Sequence, residues 1–271
     1  MSLGLSHQHE NSDVKKYDKS SDTLLSLSAH ELRTHLSVIK WYTEMLLDGD
    51  FGTLHDDQIK YLKTIQSSNQ QAIDLIRSIL NVSRLDLGTF SIKPEEIELP
   101  SILKIVLTDL KDLIDRKGVS MEESYENNSL VPISLDRQMC VVIFRSLISN
   151  AVLFSKEKGT VRIFVKEVGQ GEEYGTHVLL NDSLVVEVAD SGIGIPEENK
   201  KDIFSKFFCR GSNVTDENKK GSGLGLYITK QILEKTKGEI WFVSTKNEGS
   251  TFYVAFPKSG MQKKDGKTRL D

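Results

Sequence analysis

Leu25, Leu32, Ile39 and Leu46 stand one heptad apart, with Ala29 and Leu36 beside them. That spacing lines one stripe of a helix with apolar side chains, and it constrains the fold more than any other feature of the chain. The pattern spans about residues 22–48 and stops at Gly49-Asp50-Phe51-Gly52, a breaker sequence. A second helical stretch, about 56–87, carries Ile65, Ala72 and Ile79 on one heptad row and Ile73, Leu80 and Leu87 on the next. Two long helices and a short loop predict an antiparallel hairpin. Alone, such a hairpin has too little surface to bury its stripes. The economical solution is a homodimeric four-helix bundle; the competing one packs the stripes on the rest of the chain.

After about Thr89 the texture changes. Val-, Ile- and aromatic-rich runs predict strands at Phe90–Lys93, Val119–Glu123, Thr160–Val168, Leu184–Ala189, Glu239–Thr245 and Thr251–Phe256. Helices are expected at 100–116, 136–154, 197–205 and 223–236, and 169–183 reads as a loop or hairpin excursion. The mixture lacks a regular β-α-β-α count, so an α/β sandwich fits better than a doubly wound sheet. The expected class is therefore α+β: a helical hairpin forming a dimeric four-helix bundle, then an α/β sandwich. The divisions are a flexible N-terminal segment (1–21), the hairpin (22–89), the sandwich (90–257) and a flexible tail (258–271).

The chain's 271 residues suit two domains of this kind. No apolar run approaches the roughly 18–20 residues that cross a bilayer, and residues 1–20 lack a signal-peptide core, so no membrane segment is expected in this chain. A net charge of −4 with dispersed Lys and Arg gives no footprint for nucleic acid. Cys140 and Cys209 match no metal-ligand spacing and fit a reducing compartment, with the cytoplasm as the default.

Three segments of the second domain carry candidate chemistry. Asp190-Ser191-Gly192-Ile193-Gly194 follows a predicted strand, so a carboxylate is fixed at a strand end where glycines let a ligand approach the backbone. That carboxylate can accept a hydrogen bond from an exocyclic amine. Gly221-Ser222-Gly223-Leu224-Gly225-Leu226 leads into a helix, presenting free N–H groups and a positive dipole end to an anion such as phosphate. Polar residues 209–220 between them suit a lid. On the helix before both, Asn150 offers an oxygen suited to Mg²⁺, although a lone Asn there is ordinarily a solvated polar residue. The glycine run is not a dinucleotide fingerprint, because Leu226 stands where G-x-G-x-x-G needs glycine, and no G-x-x-x-x-G-K-[ST] occurs.

In the first domain the segment of interest is Ser28-Ala29-His30-Glu31-Leu32-Arg33-Thr34-His35. On a helical wheel His30 lies about 140–160° from the Leu25/Leu32 stripe and His35 about 40–80° from its members. His30 is thus expected to be exposed and His35 to sit at the edge of the seam. A zinc-type H-E-x-x-H would need histidine at position 34, which is Thr34.

In this order, AHELRTHL, SNAVLF, DSGIG, FSKFF, GSGLGL and a final GSTFYVAFP resemble the catalytic core of a two-component sensor histidine kinase over residues 22–257. The resemblance implies a dimerisation and phosphoacceptor hairpin followed by a Bergerat-type ATP-binding domain, a homodimer, and a response-regulator receiver domain as partner. His30 then resembles the phosphoacceptor, Glu31 the adjacent acid, and Thr34 the residue that positions water for dephosphorylating the regulator. Asn150 resembles the Mg²⁺ ligand, Asp190 the adenine-reading carboxylate, and Gly192 and Gly194 the backbone beside the base. Phe207 and Arg210 match the edge of the lid. Gly221, Gly223 and Gly225, with Leu224 and Leu226, match the phosphate loop, and Thr251 a hydrogen-bonding group near the adenine. The implied activity is autophosphorylation of His30 from ATP and Mg²⁺, then transfer to a receiver aspartate.

Three positions depart from the family pattern: His35 replaces its proline, Ser146 its first asparagine, and Leu153 its phosphate-side lysine. They support an alternative, a catalytically weakened nucleotide-binding dimer that docks a response regulator. A third reading, a gyrase-like ATPase without a histidine acceptor, is disfavoured by the hairpin.

Overall fold

The computed structural model describes residues 29, 31–126, 131–209 and 221–270. It divides into two compact units, residues 1–83 and 84–271.

Among the described residues, the first unit is a pair of helices, α1 (31–48) and α2 (Asp56–Asp86), the latter crossing the unit boundary near its end. The turn between them uses Gly49 and Gly52 at φ of 86° and 109°, conformations that a side chain disfavours. Asp56 and Asp57 complement the dipole at the start of α2, and the Gln58 side chain accepts the His55 backbone N–H at 2.8 Å, half of a capping box. Ala29, Thr43, Asn69, Ile73 and Leu80 are buried in this unit. Asn69 Nδ2 donates to the Leu36 carbonyl at 2.8 Å and ties the two helices together. The heptad residues Leu32 and Ile39 remain 52% and 43% exposed, and Tyr61 and Ile65 on α2 are exposed too. α1 continues without a break through His35, which is exposed.

In the second unit a five-stranded sheet has the order β2-β4-β7-β9-β8. Its strands are β2 (Ser120–Tyr125), β4 (Thr160–Val168), β7 (Ser183–Asp190), β8 (Glu239–Thr245) and β9 (Gly249–Pro257). Only the β2–β4 pair is parallel. A ribbon of β1 (Glu95–Ile97) and β3 (Ile133–Leu135) accompanies it. Helices α3 (Leu99–Asp109), α4 (Lys111–Lys117), α5 (Arg137–Phe154) and α6 (Gly225–Lys235) complete the layers. α5 is the central helix, packed on β4, β7, α3, α4 and α6. Its hydropathy is that of a membrane span, but it buries Met139, Ile143, Phe144, Leu147, Ile148 and Val152 inside the unit. Val161, Ile163 and Val165 of β4 alternate with more accessible neighbours, as a half-buried strand requires.

β7 is buried almost throughout because the second sheet face is also covered. A short hairpin of β5 (Glu173–Tyr174) and β6 (His177–Val178) accounts for the predicted excursion. Tyr174 packs there against Trp241 and Tyr253, whose rings stack at 5.2 Å, and the Trp241 indole N–H donates to the Tyr174 carbonyl at 3.1 Å.

Several expectations need correction. The expected helix 197–205 is a single 3-10 turn, Glu197–Asn199, continued by i→i−3 bonds such as Ser205 N–H to Asp202 O at 2.8 Å. The expected helix 100–116 breaks at Leu110, where ψ rises to 2°. Phe90–Lys93 forms isolated bridges, Phe90 with Thr268 and Ile92 with Lys264, and no longer strand. Those partners lie in the segment expected to be a flexible tail. It is instead a strap: Met261 and Leu270 are buried, Arg269 reaches Asp136 at 3.5 Å, and the Arg84 guanidinium donates to the Arg269 carbonyl at 2.6 Å. Two buried apolar side chains and backbone hydrogen bonds such as Ser91 N–H to Thr268 O at 2.8 Å anchor it. The expected boundary at 89/90 falls at 83/84, because the last turn of α2 packs on the second unit with Leu85 fully buried.

Candidate functional site

α5 starts at a capped end. The buried Asp136 carboxylate accepts the N–H groups of Gln138 at 3.0 Å and Met139 at 3.2 Å, satisfying donors that the first helical turn leaves free. Thirteen residues further along the helix is Asn150, half-buried, whose side chain makes no hydrogen bond among the described residues. One turn before it, the Ser146 hydroxyl is buried without a hydrogen-bond partner among the described residues. The two side chains share a helix face.

Asp190 ends β7 with its side chain on the helix-facing side of the sheet, the parity of Val186 and Val188. Its Oδ1 accepts the Gly192 N–H at 2.8 Å, and the Ser250 backbone supplies another donor. Burial nevertheless dominates and pushes the carboxyl up to about 6. Gly192 forms a bridge with Ser155, and a Cβ on it would overlap the Phe154 carbonyl. Gly194 has φ of 59°, and a Cβ there would overlap the Thr245 carbonyl. The turn after β7 is therefore pressed against the end of α5, one helical turn beyond Asn150.

Thr251 is not in the expected place. It pairs with Ala189, whereas Asp190 pairs with Ser250, so strand alternation sends Thr251 to the opposite sheet face, where it contacts Tyr253. The residue across from Asp190 is the buried Ser250, whose hydroxyl lies 2.9 Å from that of Ser244. Ser244 in turn accepts the Ile195 N–H at 2.8 Å. Reading the GST run with the two-residue period of an antiparallel partner of β7 would have selected Ser250.

Gly225 opens α6, and no side chain among the described residues caps that end. Leu224 is fully buried, while Gly221 and Leu226 are more accessible. Gly223 takes φ of 66° and fits against the backbone of Phe207 and Phe208. A Cβ on Gly225 would lie 2.6 Å from the Ser146 hydroxyl. The glycine run thus touches α5 on the face that carries Asn150. Phe207 is itself left-handed, at φ of 61°, and 63% exposed.

The structure therefore gathers Asn150, Asp190, Gly192, Gly194, Phe207, Gly223 and Gly225 around the C-terminal half of α5. Glu31 and Thr34 are exposed on α1 in the other unit. His30, Arg210 and the rest of the expected lid to residue 220 lie outside the described residues.

No three His, Cys, Asp or Glu side chains among the described residues are grouped to hold a metal ion. One neutral amide oxygen from Asn150 is a donor set that suits a cation brought with a polyphosphate and keeping its waters, as Mg²⁺ does.

A family model for the His Kinase A (phospho-acceptor) domain matches residues 20–88. A second, for the histidine kinase-, DNA gyrase B-, and HSP90-like ATPase, matches residues 136–260. The circadian input-output histidine kinase CikA of Synechococcus elongatus is 31% identical over 235 residues, covering 86% of this chain and 29% of that protein. The sensor histidine kinase WalK of Bacillus subtilis is 26% identical over 258 residues, covering 93% and 39%. The chain thus spans well under half of these relatives. The crystal structure of full-length ShkA in complex with AMPPNP superimposes with a TM-score of 0.67 at 20% identity, over 89% of this chain and 47% of that one. The histidine kinase AdeS of Acinetobacter baumannii gives 0.55 at 21%, over 85% and 98%. Both share the fold. With one model on the hairpin and the other on the sheet unit, this chain belongs to the two-component sensor histidine kinases and carries their catalytic core.

Proposed function

We propose that the chain uses ATP to phosphorylate His30 and passes the phosphoryl group to an aspartate of a response-regulator receiver domain. The observation that carries this is the half-buried Asp190 carboxylate beside Gly192, joined through the end of α5 to Asn150 and the glycine run. This arrangement offers an acceptor for the adenine amine at one end and free helix N–H groups for phosphate at the other.

A neutral imidazole nitrogen of His30 attacks the γ-phosphorus in line. The N–P bond forms as the bond to the ADP oxygen breaks, and Glu31 accepts the proton from the other ring nitrogen. The N–H groups at the start of α6 face the phosphates and hold their charge. Asn150 would hold Mg²⁺, which supplies charge neutralisation on the phosphates. Thr34, exposed on α1 four residues after His30 in sequence, would position water for hydrolysis of the phosphorylated regulator, which releases phosphate. The exposed Leu32, Ile39, Tyr61 and Ile65 support a second copy as the partner that completes a four-helix bundle. A cytoplasmic site of action follows from the need for ATP. Incubation with γ-labelled ATP yields acid-labile, base-stable label, and His30→Gln abolishes it; label that survives this change overturns the assignment.

A second reading, a weakened nucleotide-binding dimer, is favoured by Leu153, which removes a cation from the last turn of α5. Leu153→Lys then raises the labelling rate severalfold, and an unchanged rate argues for the first reading.

A further inference from the structure

The last turn of α2 ends on a carboxylate with two partners. Asp86 Oδ1 accepts the Tyr227 hydroxyl at 2.9 Å, and Oδ2 accepts the Lys206 ammonium at 2.6 Å. That ammonium also lies 5.0 Å from the centre of the Tyr227 ring. All three residues belong to the second unit.

What the two partners hold gives the contact its interest. Lys206 immediately precedes Phe207, whose backbone packs on Gly223. Tyr227 stands in the first turn of α6, opened by Gly225. One carboxylate therefore clasps both walls of the glycine run: the segment of Lys206 to Phe208 and the first turn of α6. We infer that Asp86 is a positioning residue that sets the phosphate end of the nucleotide site from the end of the hairpin helix. This rests on the reading of Gly221–Leu226 as the phosphate end of an ATP site.

The chemistry agrees with such a role. The hydrogen bond to Asp86 is the main cause that raises the Lys206 ammonium above its ordinary range, and burial followed by the same carboxylate raises the Tyr227 hydroxyl. The Asp86 and Lys206 side chains are 39% and 40% accessible, and ion pairs at such sites contribute little to global stability. Loss of the clasp should therefore leave the melting temperature in place and loosen the two walls.

The test uses the full chain, Mg-ADP as probe, and the variants Asp86→Asn, Lys206→Met, their double, and Tyr227→Phe. Each single change of the ion pair is expected to weaken Mg-ADP about three- to tenfold, and the double no more than either. The melting temperature stays within about 2 °C. In the ligand-free protein, amide exchange over 204–209 and 225–228 rises in each variant. Because coupling is reciprocal, Mg-ADP slows exchange over 84–88 in the wild type and fails to do so in Asp86→Asn. Wild-type protein that does not bind Mg-ADP overturns the ATP reading and this inference together. Wild-type binding matched by the Asp86 and Lys206 variants, or additive losses in the double, overturns this inference alone.

Discussion

Asp190 accepts the Gly192 N–H at 2.8 Å and yet stays harder to ionise than an ordinary carboxylate, because its surroundings withhold water. Raised from 3.8 to about 6, this group holds more protons in the folded protein than in the unfolded chain between those values. Its contribution to stability therefore falls as pH rises from about 4 to 6 and is constant above. Nucleotide binding runs the other way, since the ionised carboxylate is the better acceptor for an amine. Mg-ADP affinity should rise between pH 5 and 7 with a midpoint near 6, and Asp190→Asn should remove that dependence, as titration calorimetry at several pH values would show.

The glycines differ in what they tolerate. A methyl group on Gly192 or Gly194 meets backbone carbonyls that cannot rotate away, whereas one on Gly225 meets the Ser146 hydroxyl, which can. Gly192→Ala and Gly194→Ala should each cost about 2 kcal/mol or more in urea unfolding, while Gly225→Ala costs under about 1 kcal/mol. Equal losses at all three would contradict the packing described.

Leu270 is 1% exposed at the end of the strap. Leu270→Ala should destabilise the second unit by about 2–3 kcal/mol, the cost of a truncated core leucine. A free tail would register nothing in the same melt.

Ile39 is exposed in the single hairpin but lies on the stripe assigned to a second copy. Ile39→Asp should leave helicity unchanged by circular dichroism and shift the chain to monomer in sedimentation. A dimer that persists would place the contact elsewhere.

The sequence carried the long periodic elements well. Thr160–Val168 and Glu239–Thr245 occur with the limits that their composition suggests, and α2 ends one residue from its expected limit. What it hid was short or set by partners. Three-residue strands such as Glu95–Ile97 have no period to detect, and residues 258–270 look like solvent-facing chain until Phe90 and Ile92 are there to receive them. At the site, Gly192 and Gly194 beside Asp190 were legible because only glycine fits against the backbone carbonyls they approach. Ser250 was not, since its place depends on the register between β7 and β9. Asp86 was invisible for the same kind of reason: Lys206 and Tyr227 lie more than a hundred residues away in the chain.

The chain has two tryptophans. Trp41 is 57% exposed on α1, and Trp241 is 8% exposed beneath the β5–β6 hairpin. The sheet unit therefore contains a single shielded indole stacked on a phenol, whose emission should lie to the blue of that of the exposed indole on the hairpin. Replacing Trp41 by phenylalanine leaves a fluorophore that reports the melting of the sheet unit alone, and replacing Trp241 instead leaves one that reports the hairpin.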